Sequence, residues 1–183
     1  MPNIRLVIFD LGDTIWSTGP DDRVINLEEH PVESMLDPDT MVQGEGNARQ
    51  LFPGVRELFD ALIARGIFIS IASINDPWAY KWLGEGYFNL NIANLHFPVT
   101  EAGDPDTDVK GYWVERIIGL FNQYVTPDHP ISNEQVVFVD DLIRSHRAAS
   151  KIAPGVHCIF PAPNLEGGML SLLEFLDEIE EER

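Results

Sequence analysis

Cysteine is almost missing from this chain: Cys158 is the single one. One thiol excludes an internal disulfide and a thiolate metal cluster, and it fits a reducing compartment, so a cytoplasmic setting is expected. Long apolar runs are missing too. None approaches the ~20 residues that a membrane span needs, and no basic segment leads into a long apolar stretch near Met1, as in a secretory signal. No membrane association is expected. Positive charge is scarce, with 12 Lys and Arg against 30 Asp and Glu for a net charge of −18. No basic face is available for nucleic acid, so none is expected as a partner. The lysines are Lys81, Lys110 and Lys151 alone. A phosphorylated substrate would meet long-range repulsion unless a local cation recruits it.

What is present points to one α/β domain over residues 1–183. At 44% apolar residues the chain can bury a substantial core. The run Ile4 to Phe9 is β-branched and aromatic, as suits a buried strand, and it stops abruptly at Asp10. Pro53 to Gly66 reads as a helix, with proline in the first turn and glycine at the stop. Ile67 to Ala72 reads as a second buried strand ending at Ser73. Asp76 and Gly84 bracket another helix, and Ile92 to Phe97 suggests a strand. Asp108 opens a helix with an apolar face from Val109 to Phe121. Val136 to Val139 is a short strand ending at Asp140-Asp141. A helix from about Leu142 to Ala153, a strand from Val156 to Phe160 and an acidic helix from Leu170 to Glu182 complete the series. Strands alternating with helices imply right-handed crossovers and a mostly parallel sheet. Residues 17–50, with scattered prolines and glycines, read as irregular: a loop or flap leaving directly from the end of the first strand.

In such a sheet, ligands bind beyond the carboxyl ends of the strands. Three of those ends carry polar residues: Asp10, Ser73 and Asp140-Asp141. Two converging carboxylate sites suit Mg²⁺, which takes one or two carboxylates along with water and phosphate. A serine hydroxyl and a lysine near a helix start, Lys110, suit phosphate oxygens.

This ordered set resembles the haloacid dehalogenase superfamily of aspartyl-nucleophile phosphotransferases. Asp10-Leu11-Gly12-Asp13-Thr14 stands for its first motif, Ser73 for the second, Lys110 for the third and Asp140-Asp141 for the fourth. The likeness covers roughly residues 4 to 160. It is strongest to the magnesium-dependent phosphatase branch without a large cap, through Trp16, Leu51-Phe52-Pro53-Gly54-Val55, Lys110 to Ile117, and Phe138-Val139-Asp140-Asp141. The resemblance implies a three-layer Rossmann-like fold with a mostly parallel central sheet. It further implies hydrolysis of a phosphate monoester, on a small molecule or a phosphoprotein, through an aspartyl-phosphate on Asp10. Mg²⁺ would be held by Asp10, the Gly12 carbonyl and Asp141 with Asp140 beside it, and phosphate by Ser73 and Lys110.

The chain departs from that pattern at one place. The phosphatases carry an aspartate two residues after the nucleophile, which protonates the leaving group and then activates water; here the position is Gly12. Either Asp13 takes over this role, or catalysis is slow or lost. In the second case the chain is a phosphate- or phosphoprotein-binding module of the same fold. The same superfamily includes dehalogenases without that aspartate, but no apolar halide pocket is legible.

Overall fold

The structure is a computed structural model that describes residues 3–17, 33–43, 47–75, 77–104, 107–161 and 168–181. Its centre is β1 (Leu6–Phe9), buried along its whole length. Around it lie β5 (Phe68–Ile74), β6 (Val99–Glu101), β7 (Val136–Val139) and β8 (His157–Ile159), in the order β6-β5-β1-β7-β8. Every pairing is parallel.

Successive strand residues point to opposite faces, which is why these strands are apolar without interruption. Val7, Phe9, Ile69, Ile71, Val137 and Val139 face one core, under α1 (Val55–Ala64) and α4 (Ser171–Glu181). Leu6, Ile8, Val136 and Phe138 face the other, under α2 (Val109–Tyr124) and α3 (Ile143–Ile152). The result is a three-layer α/β fold with a parallel central sheet. Fully burying each such side chain contributes about 1.5–3 kcal/mol. α1 shows the local logic: Val55, Leu58, Phe59 and Leu62 form its buried stripe, and Phe59 stacks on Phe9 with ring centroids 5.6 Å apart. Gly66, at φ 71°, ends the helix as glycine permits.

Three expectations differ from the structure. The stretch 17–50 is not irregular throughout: β2 (Ser34–Asp37), β3 (Thr40–Gln43) and β4 (Asn47–Gln50) form a separate antiparallel sheet. Its alternation is short and interrupted by turns, so no single run advertises a strand. The sheet is anchored by Met41, Val42 and Ala48, all buried, and by a bridge between Trp16 and Leu51. The second expected helix is only a 3₁₀ turn, Ala79–Leu83, and its proposed cap Asp76 lies outside the described residues. The strand expected at Ile92 to Phe97 is reduced to a bridge at Leu95; the edge strand is instead β6, beyond Pro98. Phe97 takes a left-handed φ of 48°, which redirects the chain there.

Candidate active site

The register of the sheet builds the site. Phe9 pairs with Ile71 on one side and Val139 on the other. One residue further along, Asp10 and Asp140 emerge side by side, and the Asp10 N–H donates to the Val139 carbonyl at 2.9 Å. Ser73 leaves β5 level with Thr100. Its hydroxyl hydrogen-bonds the Asp10 carboxylate.

Lys110 reaches this edge from the first turn of α2 and is buried there. Its Nζ lies 2.9 Å from Asp10 Oδ1 and 2.6 Å from Asp140 Oδ2. Asp140 is wholly buried. Its other oxygen accepts from the Leu142 N–H at 2.8 Å, and its carbonyl lies 2.8 Å from His146 Nε2. Carboxylate oxygens of Asp10, Asp140 and Asp141 lie within 4.8 Å of one another. Asp10, Gly12, Asp13, Lys110 and Asp141 line a cavity of about 330 Å³, closed on its apolar side by Ile74, Val109 and Leu142.

The electrostatics follow from this crowding. Burial raises the Asp10 carboxyl to about 6 from an ordinary 3.8; Lys110 opposes the rise and Asp140 adds to it. Burial pushes the Lys110 ammonium down, but Asp10 and Asp140 outweigh it and hold the group above its ordinary value. Asp141 is raised by burial and by Asp140, with Lys110 opposing and Asp13 adding a little. The edge is therefore a concentration of negative charge around one committed ammonium, a setting that favours a divalent cation.

Asp13 stands on the same cavity, exposed, with a left-handed φ of 53°. Aspartate tolerates that conformation better than most residues. Its N–H donates to the Trp16 carbonyl at 2.7 Å, so the turn closes on itself. Arg49 of β4 faces it electrostatically; burial lowers the guanidinium's affinity for its proton and the Asp13 charge partly restores it. The antiparallel sheet thus brings a cation near the loop that follows Asp10.

Among the described residues, the segment between β5 and α2 holds only the 3₁₀ turn and β6, with no large cap. Comparison with solved structures gives matches across nearly the whole chain. One is the N-terminal part, containing a phosphatase domain and complexed with Mg, of a Bacteroides fragilis protein. It is 18% identical with a TM-score of 0.57, over 97% of this chain and 40% of that one. This chain therefore spans two fifths of that solved N-terminal part. Another is a superfamily hydrolase from Ehrlichia chaffeensis, 14% identical with a TM-score of 0.54, over 98% of both chains. The chain has a haloacid dehalogenase fold. A haloacid dehalogenase-superfamily hydrolase of subfamily IA from Geobacter sulfurreducens agrees, at 13% identity and a TM-score of 0.54, over 94% of this chain and 99% of that one. At these identities the likeness is one of fold. No family model and no curated protein matches the chain.

Within this haloacid dehalogenase fold, the residues singled out in the sequence converge. Asp10, Ser73, Lys110, Asp140 and Asp141 form one connected cluster, and Gly12 and Asp13 line the cavity beside it. Ser73 and Asp140 do not line the cavity; Ser73 bonds Asp10 and Asp140 pairs with Lys110. Of three further neighbours, Arg144 stands just after the acids, where the sequence leaves substrate contact open beside a polar helix face, while Ser145 and Arg49 carry no legible signal. Arg144 and Ser145 line the cavity from the first turn of α3, and Arg49 arrives from a sheet that the pattern does not reveal. His146 is buried, with its ring centroid 4.2 Å from that of Phe160. Its spacing six residues after Asp140 marks it only once the helix is placed.

Proposed function

We propose that this protein is a Mg²⁺-dependent phosphatase that hydrolyses a phosphate monoester through an aspartyl-phosphate on Asp10. The observation that carries this reading is the Asp10–Lys110–Asp140 cluster, set at the carboxyl edge of the sheet beside Asp141 and opening onto one cavity. The donor set fits the metal. Asp10 and Asp141 present carboxylates and Gly12 stands on the same wall, whereas Asp140 has both oxygens engaged and orients Lys110. When bound, Mg²⁺ would neutralise phosphate charge and align the ester for displacement.

The chain's own groups supply the rest. The ionised Asp10 carboxylate attacks phosphorus; an Oδ–P bond forms and the ester P–O bond breaks. Asp13 gives its proton to the departing oxygen. It then takes a proton from water, whose oxygen attacks the same phosphorus. The acyl-phosphate P–O bond breaks, releasing inorganic phosphate and restoring Asp10. Lys110 and Ser73 hold Asp10 in place, and Lys110, on the cavity wall, offers donors to phosphoryl oxygens. Asp13 takes the acid/base role that Gly12 leaves open; that it lines the same cavity as Asp10 supports this reading.

A cavity of about 330 Å³ supports a small phosphorylated molecule as the substrate. The sheet β2–β4 is an insertion whose contribution is Arg49, which faces Asp13 electrostatically. A single cysteine supports a reducing, cytoplasmic setting. Steady-state hydrolysis of phenyl phosphate with Mg²⁺ tests the reading: wild type turns over, and Asp10→Asn does not. Binding of Mg²⁺ and phosphate without turnover in wild type would instead identify a binding module of the same fold.

A further inference from the structure

At Asp140 the chain leaves the sheet. Its N–H still donates to the Ile159 carbonyl of β8, at 3.2 Å. Its own carbonyl meets no strand. Among the described residues, the group that hydrogen-bonds this carbonyl is Nε2 of His146, at 2.8 Å. A carbonyl oxygen offers only lone pairs, so Nε2 carries the hydrogen and donates it. The reaction just described gives His146 no task.

His146 is held firmly enough to give one. It sits in the first half of α3 and is buried. Its ring lies 4.2 Å from that of Phe160 and edge-on to Phe138 at 6.2 Å, centroid to centroid. Its N–H donates to the Leu142 carbonyl at 3.3 Å. An apolar side chain would suit two aromatic neighbours as well; what histidine adds is a donor for a buried carbonyl.

That carbonyl has leverage. It belongs to the peptide group that joins Asp140 to Asp141, and a peptide group is planar. Fixing its oxygen fixes the plane, and with it the backbone from which the Asp141 side chain departs. Asp141 lines the cavity, and its carboxylate lies within 4.8 Å of those of Asp10 and Asp140. Asp140 meanwhile bonds Lys110 and the Leu142 N–H. One hydrogen bond therefore bears on both acids at the end of β7.

We propose that His146 is a positioning residue of the metal site: through the Asp140 carbonyl it keeps the Asp141 carboxylate within reach of Asp10. The inference rests on the Mg²⁺-dependent reading of that site and adds a residue that touches neither metal nor substrate.

The test is calorimetric titration of Mg²⁺ into wild type, His146→Gln, His146→Asn and His146→Leu. The glutamine amide nitrogen reaches about as far as Nε2, whereas the asparagine amide stops nearer Nδ1. Wild type and His146→Gln are expected to bind Mg²⁺ alike. His146→Asn and His146→Leu should bind it about tenfold more weakly, the scale set by partners that orient a metal ligand. A histidine that only packs would make His146→Leu the best replacement and His146→Gln no better than His146→Asn. Either that order or equal affinity in all four proteins would overturn the proposal. If His146→Leu does not fold, the contrast between His146→Gln and His146→Asn decides alone. The phosphatase reading is scored separately, by hydrolysis of phenyl phosphate. If Mg²⁺ affinity follows the expected order and nothing is hydrolysed, that reading fails and the positioning role stands. If wild type binds no Mg²⁺, both fail.

Discussion

Lys110 Nζ lies 2.9 Å from Asp10 Oδ1, with both side chains buried. A buried cation between two carboxylates stabilises mainly by what its removal would leave behind. Replacing it strands Asp10 and Asp140 as facing, dehydrated anions. We therefore expect Lys110→Met to lose about 3 kcal/mol in metal-free protein at pH 8, by denaturant unfolding. The loss should shrink on acidification, as the carboxylates protonate, and on addition of Mg²⁺. A variant as stable as wild type at pH 8 without metal would refute this account of the cluster.

The pH dependence of the folded state should carry the signature of Asp10. Its carboxyl is raised by burial from 3.8 to about 6, so folding favours the protonated form. The stability this contributes is fully present below 3.8 and is lost as pH rises through about 6. Asp10→Asn does not titrate. In EDTA, the melting temperature of Asp10→Asn relative to wild type should therefore climb across that window, and Mg²⁺ should flatten the climb by stabilising the ionised carboxylate. A flat difference in EDTA would contradict the raised value.

Asp13 is the assigned acid/base, and its loss should be felt in turnover more than in binding. Asp13→Asn is expected to lower kcat for a phosphate ester with a poor leaving group by about 10²–10⁴-fold, the usual range for such groups. The loss should be milder for 4-nitrophenyl phosphate, whose leaving group needs less protonation. Gly12→Asp should rescue Asp13→Asn while adding little to wild type. A large gain from Gly12→Asp in the wild-type background would show that Asp13 does not perform the role.

Two glycines on α2 should respond in opposite directions. A Cβ at Gly111 would fall 2.5 Å from the Ala148 carbonyl oxygen of α3, whereas one at Gly119 meets nothing within 4 Å. Gly111→Ala must push apart the two helices that deliver Lys110 and Arg144, at about 1–3 kcal/mol. Gly119→Ala should stabilise by up to about 1 kcal/mol through helix propensity. Chemical denaturation of the pair reads both, and activity should fall in Gly111→Ala alone.

The sequence by itself determined the α/β class, the parallel core strands and the residues at their ends. These features are local: an unbroken apolar run bounded by a carboxylate or serine is written in consecutive residues. Asp10, Ser73 and Asp140-Asp141 were legible for that reason, along with the departure at Gly12, and Lys110 as a rare lysine near a helix start. What only the tertiary structure decided is which of those groups touch. Sheet register sets Asp10 beside Asp140, and the close approach of α2 to α3 at Gly111 seats Lys110 between them. The turn at Asp13 depends on a left-handed backbone closed by the Trp16 carbonyl, which no periodicity encodes. Arg49 and Arg144 reach the site from a short, broken sheet and from a helix start. Residues so placed look like ordinary surface charges until packing brings their elements to one cavity, because long-range contacts leave no pattern along the chain.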